Sequence, residues 1–246
     1  MKNIFIGTSG YVYPHWKGIF YPADLPSHKW IEFYAKRFNT VEVNATFYRI
    51  PKLETVKSWS RRVPENFRYT VKANRHITHI YRLKERECSE TLKRIFQTLE
   101  PIKERIGCVL YQLPPSLHRD VSLLESFCAR IKEDYPDFRH AFEFRNNTWL
   151  EEDVFNVLRE FGVCYVLVSA PKQEYREVTT TSFSYIRLHG VTDWYSYDYS
   201  EDELKFWAKT AKKLLKESEE LFIYFNNDTN AYAVKNALRL KELLNG

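Results

Sequence analysis

Four side chains in this sequence stand where proton transfer or metal binding would need them. Glu42, Glu143, His189 and Asp228 each fall near the end of a short β-rich run, alternating with apolar residues. Carboxylates and an imidazole brought together can act as general acid and base, or hold one divalent cation that activates water. In the same alternation fall the cations Lys72, Arg145 and Arg187, the amides Asn44, Asn74, Gln112 and Asn226, and the phenol Tyr224. A guanidinium's planar fork suits a carboxylate or phosphate, so this mixture points to an anionic ligand.

The elements that must position these groups follow from periodicity. Eight runs have strand character: residues 4–9, 40–46, 68–74, 107–113, 140–145, 163–170, 183–190 and 221–228. Stretches with helical spacing separate most of them: 29–38, 54–62, 87–105, 121–132, 151–161, 201–217 and 231–244. Strands alternating with helices predict parallel βαβ units, and eight such units closing on themselves predict an α/β fold, a single (β/α)8 barrel of TIM type over residues 1–246. Residues 171–182, with Thr179, Thr180 and Thr181 in succession, make a poor helix, so the helix between strands six and seven is expected to be irregular or missing. A doubly wound sheet is the alternative, but it does not call for eight strands of such even length.

Barrel strands bury their apolar face under the helices and turn the other face inward. In 40–46 the apolar set is Val41, Val43 and Ala45, which sends Glu42 and Asn44 inward. The same reasoning sends Thr70, Lys72 and Asn74 inward from the third run, and Gln112 from the fourth. It adds Glu143 and Arg145 from the fifth, Arg187 and His189 from the seventh, and Tyr224, Asn226 and Asp228 from the eighth. All lie toward the C-terminal ends of their strands, where barrel active sites sit. Apolar side chains would fill the space at lower cost, so an ionic interior at this end is better explained by a polar ligand than by packing.

The connecting loops add aromatic and basic residues. Tyr11 and Trp16 follow the first run, Phe47 and Tyr48 the second, the basic stretch 75–86 the third, and Trp194, Tyr195, Tyr197 and Tyr199 the seventh. Aromatics beside cations suit stacking on bases or sugars and contact with phosphates. Each such ring can equally pack its own loop, and the basic stretch can be a solvated face.

Three readings follow. The first is a hydrolase of phosphodiesters, with nucleic acid among its substrates. Lys72, Arg145 and Arg187 would hold phosphate, and Glu42, Glu143, His189 and Asp228 would hold one magnesium or manganese ion. His15, His76 and His79 lie in loops, so a multi-zinc cluster is not expected. The second is a metal-free carbohydrate or small-acid enzyme with Glu42 and Glu143 as its acid–base pair. The third is a non-catalytic binding module for an anionic metabolite or nucleic acid.

Composition limits the rest. The net charge of +5 permits an anionic partner without demanding one. No run has the length and apolarity of a membrane helix or a secretory signal, so the expected location is cytoplasmic, with no membrane partner. Cys88, Cys108, Cys128 and Cys164 form no CxxC pair, and there is no GxSxG elbow, P-loop or HExxH. The GTSG run at 7–10 lacks dinucleotide spacing and reads as a tight turn.

Seven stretches together carry a family resemblance. They are GTSGYVYPHWKGIFYP (7–22), FNTVEVNATFYRIP (38–51), VKANRHITH (71–79), LYQLPPS (110–116), FEFRNNTW (142–149), YIRLHG (185–190) and YFNND (224–228). In these the chain resembles the YecE-like proteins (domain of unknown function 72) over nearly its whole length. Tyr11 stands where that pattern commonly has Trp, and Asn146 and Asn147 where it commonly has His. The resemblance implies a TIM-type barrel and no established activity.

Overall fold

The structure is a computed structural model describing residues 3–245. Its strands are β1 (Asn3–Thr8), β2 (Thr40–Val43), β3 (Arg68–Lys72), β4 (Ile106–Gln112), β5 (His140–Glu143), β6 (Cys164–Ser169), β7 (Phe183–Leu188) and β8 (Glu220–Phe225). All pair in parallel, in the order β1-β8-β7-β6-β5-β4-β3-β2. The ends of that order meet through a bridge between Ser9 and Glu42, with Gly10 N donating to Glu42 O at 2.8 Å. The sheet therefore closes as the expected TIM-type barrel.

Closure at the β1–β2 seam depends on side chains. The Tyr34 hydroxyl accepts from Thr8 N at 2.8 Å and donates to Thr40 O at 3.1 Å. The Asn39 amide accepts from Ile6 N at 3.1 Å and donates to Ile4 O at 2.8 Å. These bonds satisfy backbone groups that a ladder would otherwise pair. Gly7 permits the approach, since a Cβ there would lie 2.2 Å from Thr40 O.

The helices are α1 (Trp30–Ala35), α2 (Ala45–Tyr48), α3 (Leu53–Ser60), α4 (Glu85–Leu99), α5 (Val121–Asp134), α6 (Glu152–Glu160), α7 (Glu201–Glu217) and α8 (Tyr232–Asn245). α7 opens with a capping box, Ser200 and Glu203 each bonding the other's backbone. Between β6 and β7 the described residues form no helix, as their composition predicted. None of the described helices is long and apolar enough to cross a membrane.

Two cores result. One lies between strands and helices; the other fills the barrel. At its N-terminal end Phe5 stacks on Phe222 at 4.7 Å and Phe183 meets Phe222 edge-on at 6.1 Å. The Arg139 guanidinium lies against Phe183 (4.9 Å) and Phe222 (5.3 Å) and caps this end. Leu110, Ala141, Val166 and Val168 fill the middle with Tyr185 and Tyr224.

Several strands end two or three residues before the expected runs do, and the second run shows why. The run 40–46 stops as a strand at Val43, because Asn44 takes helical dihedrals and starts α2. Ala45 is exposed rather than packed under a helix. The single Thr46 hydroxyl proton is shared between Val43 O (2.9 Å) and Lys72 O (2.7 Å), fastening this turn across two strand ends. A β-rich composition does not reveal such a turn, because the side-chain bonds that make it are tertiary.

Candidate functional site: the C-terminal mouth of the barrel

Above the middle layer the interior becomes ionic. The Arg187 guanidinium, fully buried on β7, donates through Nη2 to Glu42 Oε1 at 2.6 Å and through Nη1 to Glu143 Oε2. Glu143 Oε1 in turn accepts from Arg145 Nε. Glu42 also accepts from Ser9 Oγ at 2.7 Å and from the Tyr185 hydroxyl. Burial pushes the Glu143 carboxyl up, but Arg145 and Arg187 outweigh it and hold the group below its ordinary value. Burial likewise opposes the Arg187 charge, and Glu143 and Glu42 overcome it, keeping its pKa well above the usual value. Burial and the neighbouring Glu42 keep the Tyr185 hydroxyl protonated, so it donates. Glu143 is therefore held ionised, and both carboxylates are occupied by donors.

His189 sits over this network. Its Nε2 is 3.0 Å from Arg145 Nη2 and its Nδ1 is 3.1 Å from the Asn226 amide. Burial, then Arg145, Arg187 and Lys72, push its pKa well below the ordinary histidine value, so the ring is neutral. Arginine can only donate, so Nε2 accepts and the proton resides on Nδ1. Asn226 Nδ2 faces Nδ1, so with the proton there the amide must be turned over to present its oxygen. The imidazole has no free lone pair in this arrangement.

The third cation is in a different position. Lys72, partly buried at the end of β3, donates to Gln112 Oε1 at 2.7 Å and lies over the Phe47 ring at 4.2 Å. No carboxylate lies within ion-pair distance of it among the described residues. Burial, then the neighbouring Arg187, lower its pKa to about 8 against the partial pull of Glu143 and Glu42.

Its partner Gln112 lines a cavity of about 300 Å³ together with Pro115, Arg145, Gln173, Trp194 and Tyr195. The Arg145 guanidinium lies over the Trp194 ring at 4.6 Å. Gly190 makes the turn that brings these rings over His189: its φ is +122° and a Cβ there would meet Asp193 O at 2.1 Å. Trp194 and Tyr195 then lie 5.4 and 5.9 Å from the His189 ring, and Tyr195 N donates to His189 O at 2.9 Å.

Glu42, Lys72, Gln112, Glu143, Arg145, Arg187, His189 and Asn226 thus meet at the mouth, while the other expected site residues do not. Tyr224 lies one layer lower, sharing hydrogen bonds with Thr40 Oγ1 (2.5 Å) and Thr70 Oγ1 (2.8 Å). Asn74 fixes the turn after β3, donating to Thr46 O at 3.0 Å and accepting from His76 N at 3.1 Å. Asn44 starts α2, with its Oδ1 buried and unpartnered among the described residues. Trp16 is 0% exposed and packs with Tyr13, Phe20 and Tyr21, so it offers no stacking face. Tyr11 packs toward Tyr34 at 6.1 Å, whereas Tyr48, 71% exposed, stands on the rim. Asp228 pairs at the rim with His15, whose Nε2 is 3.8 Å from Oδ2.

This placement bears on the expected metal ion. Among the described residues no group of three or more His, Cys, Asp and Glu side chains converges as ligands. Glu42 and Glu143 are engaged by arginine, and Lys72, Arg145 and Arg187 would repel a divalent cation. The donor set does not fit a metal.

Sequence reasoning passed over Ser9, Tyr185 and Gln173, and it placed Phe47 among the rim aromatics without its contact to Lys72. The first two were legible, because Tyr185 shares the parity of Arg187 and His189, and Ser9 follows Phe5 and Gly7 by twos. Phe47 and Gln173 lie in a short helix and a long loop, where parity says nothing.

A closed barrel with an ionic C-terminal mouth defines a TIM-type barrel protein. The chain matches the family described as "Protein of unknown function DUF72" over residues 5–246, and it belongs to that family. It is 26% identical to the UPF0759 protein YunF of Bacillus subtilis, over 91% of this chain and 89% of that one. It is 32% identical to the UPF0759 protein YecE of Escherichia coli K12, over 68% of this chain and 59% of that one. Among solved structures it resembles a DUF72 family protein from Thermotoga maritima, with a TM-score of 0.90 and 31% identity over 99% of this chain and 100% of the other. A DUF72 family protein from Enterococcus faecalis shares the fold, with a TM-score of 0.86 and 21% identity over 99% and 96%.

Proposed function

We propose that the mouth of this single-domain barrel recognises a small anionic ligand, a phosphate ester or carboxylate, through Lys72 and Arg145. Trp194 and Tyr195 cover the rest of the ligand. The observation that carries this reading is Lys72. It is a partly buried ammonium whose hydrogen-bond and ring partners, Gln112 and Phe47, are neutral. Burying a charge without a counter-charge is costly, and an anionic ligand would relieve that cost. The paired-carboxylate reading has less support, because Arg187 bridges Glu42 and Glu143 and neither is a ready proton donor. Hydrolysis of a phosphodiester would need a base for water, and the carboxylates and the imidazole nearest the cavity are all engaged. The support is thus for recognition of the anion without metal. Four buried, unbridged cysteines suit a reducing cytoplasm.

Calorimetric titration with inorganic phosphate, a phosphate monoester and acetate at low salt tests this. Binding should be present in the native protein and weaken at least about tenfold in Lys72→Met, about 1.4 kcal/mol. Equal affinity in the two proteins would sink the proposal.

A nucleic-acid strand is a second reading, favoured by a groove of about 780 Å³ lined by Tyr48, Arg49, Lys52, His76 and Arg94, with Glu87 and Glu90 in the same lining. The cations of that groove make no ion pair among the described residues. Labelled single-stranded oligonucleotide should then bind with steep salt dependence, reduced in Arg49→Glu. Absence of binding at low salt would leave the small anion alone.

A further inference from the structure

Lys72 occupies a nucleophile's position as well as a charge's. We propose that Lys72 Nζ forms an imine with the carbonyl carbon of a small aldehyde or ketone that carries a phosphate or carboxylate group, bound in the mouth of the barrel. The inference rests on the anion-recognition reading, in that Arg145 takes the substrate's anionic group while the amine meets its carbonyl.

Three observations support the amine's role. Its nitrogen lies over the face of the Phe47 ring at 4.2 Å and is aimed by one neutral acceptor, Gln112 Oε1 at 2.7 Å. Gln112 and Arg145 line the same cavity, so an anion on Arg145 lies beside the amine's own partner. The carboxylates that would hold the ammonium, Glu42 and Glu143, are occupied by Arg187 and Arg145. Desolvation beside other cations is a known way to activate a lysine. With its pKa near 8, roughly a tenth of the molecules carry the free amine at pH 7, against about one in a few thousand for an ordinary lysine.

The step balances without oxidant or reductant. The Nζ lone pair bonds to the carbonyl carbon as the C=O π pair moves to oxygen. One N–H proton passes to that oxygen, giving a carbinolamine. The C–O bond then breaks, the hydroxyl leaves with the second N–H proton as water, and the nitrogen lone pair closes the C=N bond. The anionic group stays on Arg145 throughout, and Trp194 and Tyr195 screen the imine from water.

Pyridoxal phosphate, an aldehyde bearing a phosphate and a planar ring, is a suitable probe. Native protein is incubated with it, reduced with borohydride, digested and mapped by mass spectrometry. The Lys72 peptide should label at least about tenfold faster than peptides with exposed lysines, from its larger free-amine fraction. Excess inorganic phosphate should suppress that label, and Lys72→Arg should remove it. Labelling spread over surface lysines, with none concentrated at Lys72, would overturn the inference. If phosphate binds but Lys72 stays unlabelled, the imine falls and the anion site stands. If Lys72 labels and phosphate neither binds nor protects, Lys72 is a reactive amine with no anion site beside it, and the anion reading falls together with the inference that rests on it.

Discussion

Arg187 and Lys72 enter the same mouth from β7 and β3, and only Arg187 is answered by carboxylates. Arg187 lies between Glu42 and Glu143, with Ser9, Tyr185 and Arg145 completing the acceptors' bonds. Lys72 has an amide and a ring. Charges that neutralise one another belong to the architecture, and a charge that remains over belongs to whatever arrives. The difference teaches that an ionic barrel interior is two things, a charge-paired network and a surplus beside it, and only the surplus points to a ligand.

The sharpest way to break this comparison is to remove its paired member. Arg187→Met leaves two buried carboxylates without their shared guanidinium, and removing one partner of a buried pair costs about 3–5 kcal/mol. Urea denaturation of the variant should show a loss of that size. A change under about 1 kcal/mol would mean the network is not a structural unit.

The unpaired member should behave in the opposite way. Lys72→Met removes a partly desolvated charge, so its effect on stability should stay within about 1 kcal/mol while phosphate affinity falls at least about tenfold. The affinity of the native protein should also depend on pH. The ammonium form attracts the anion and is lost as pH rises through about 8, so binding should weaken above that value. A bound anion favours the protonated amine, so binding at pH 8 should take up protons from buffer. Calorimetry in two buffers of different ionisation enthalpy reads this directly, and proton release instead of uptake would contradict the assignment.

Much of this arrangement was legible in the chain. Alternation in the strand runs placed Glu42, Lys72, Glu143, Arg145, Arg187 and His189 inside the barrel, because a strand's side-chain period leaves no other face for them. Alternation also has a limit, which Asn44, Asn74 and Asp228 mark. Each follows a point where the chain leaves the ladder, and there side chains bond local backbone or loops. Tyr224 shows a second limit: parity gives the face but not the height, and its hydroxyl is taken by two threonines below the ionic layer. Trp16 shows a third, since an aromatic loop reads alike whether it packs on itself or stands open. What no pattern reveals is which charges satisfy each other, because that depends on distances across the barrel.

Histidines sharpen the comparison through pH. His189, in the ionic mouth, and His140, buried on β5, both have depressed pKa values, His140 to about 4. Burial is the leading cause in each, with Arg145 and Arg187 adding to it at His189. Both rings stay neutral in the fold, whereas in the unfolded chain they take up protons below about 6.5. The unfolded state then binds more protons, so stability is full above that value and falls as pH drops. Each ring should remove on the order of 1 kcal/mol per pH unit between about 6.5 and 5. Thermal melts across that window should show the fall, and His189→Gln should flatten it. An unchanged slope in that variant would place the titration elsewhere.

The smallest effect concerns the ring that covers Arg145. Trp194 is 38% exposed and lies on Arg145, so its own burial contributes little to folding. An exposed cation–π contact is worth about 0.5–1 kcal/mol, and truncating the ring should leave Arg145 more mobile by that amount. Trp194→Ala should therefore weaken phosphate binding about two- to fivefold while leaving the urea midpoint nearly unchanged. A ligand with a planar group should lose more than inorganic phosphate does, because the ring also stacks on it. Equal losses for both would show that Trp194 acts only by steadying Arg145, and no loss for either would move the ligand away from this side of the mouth.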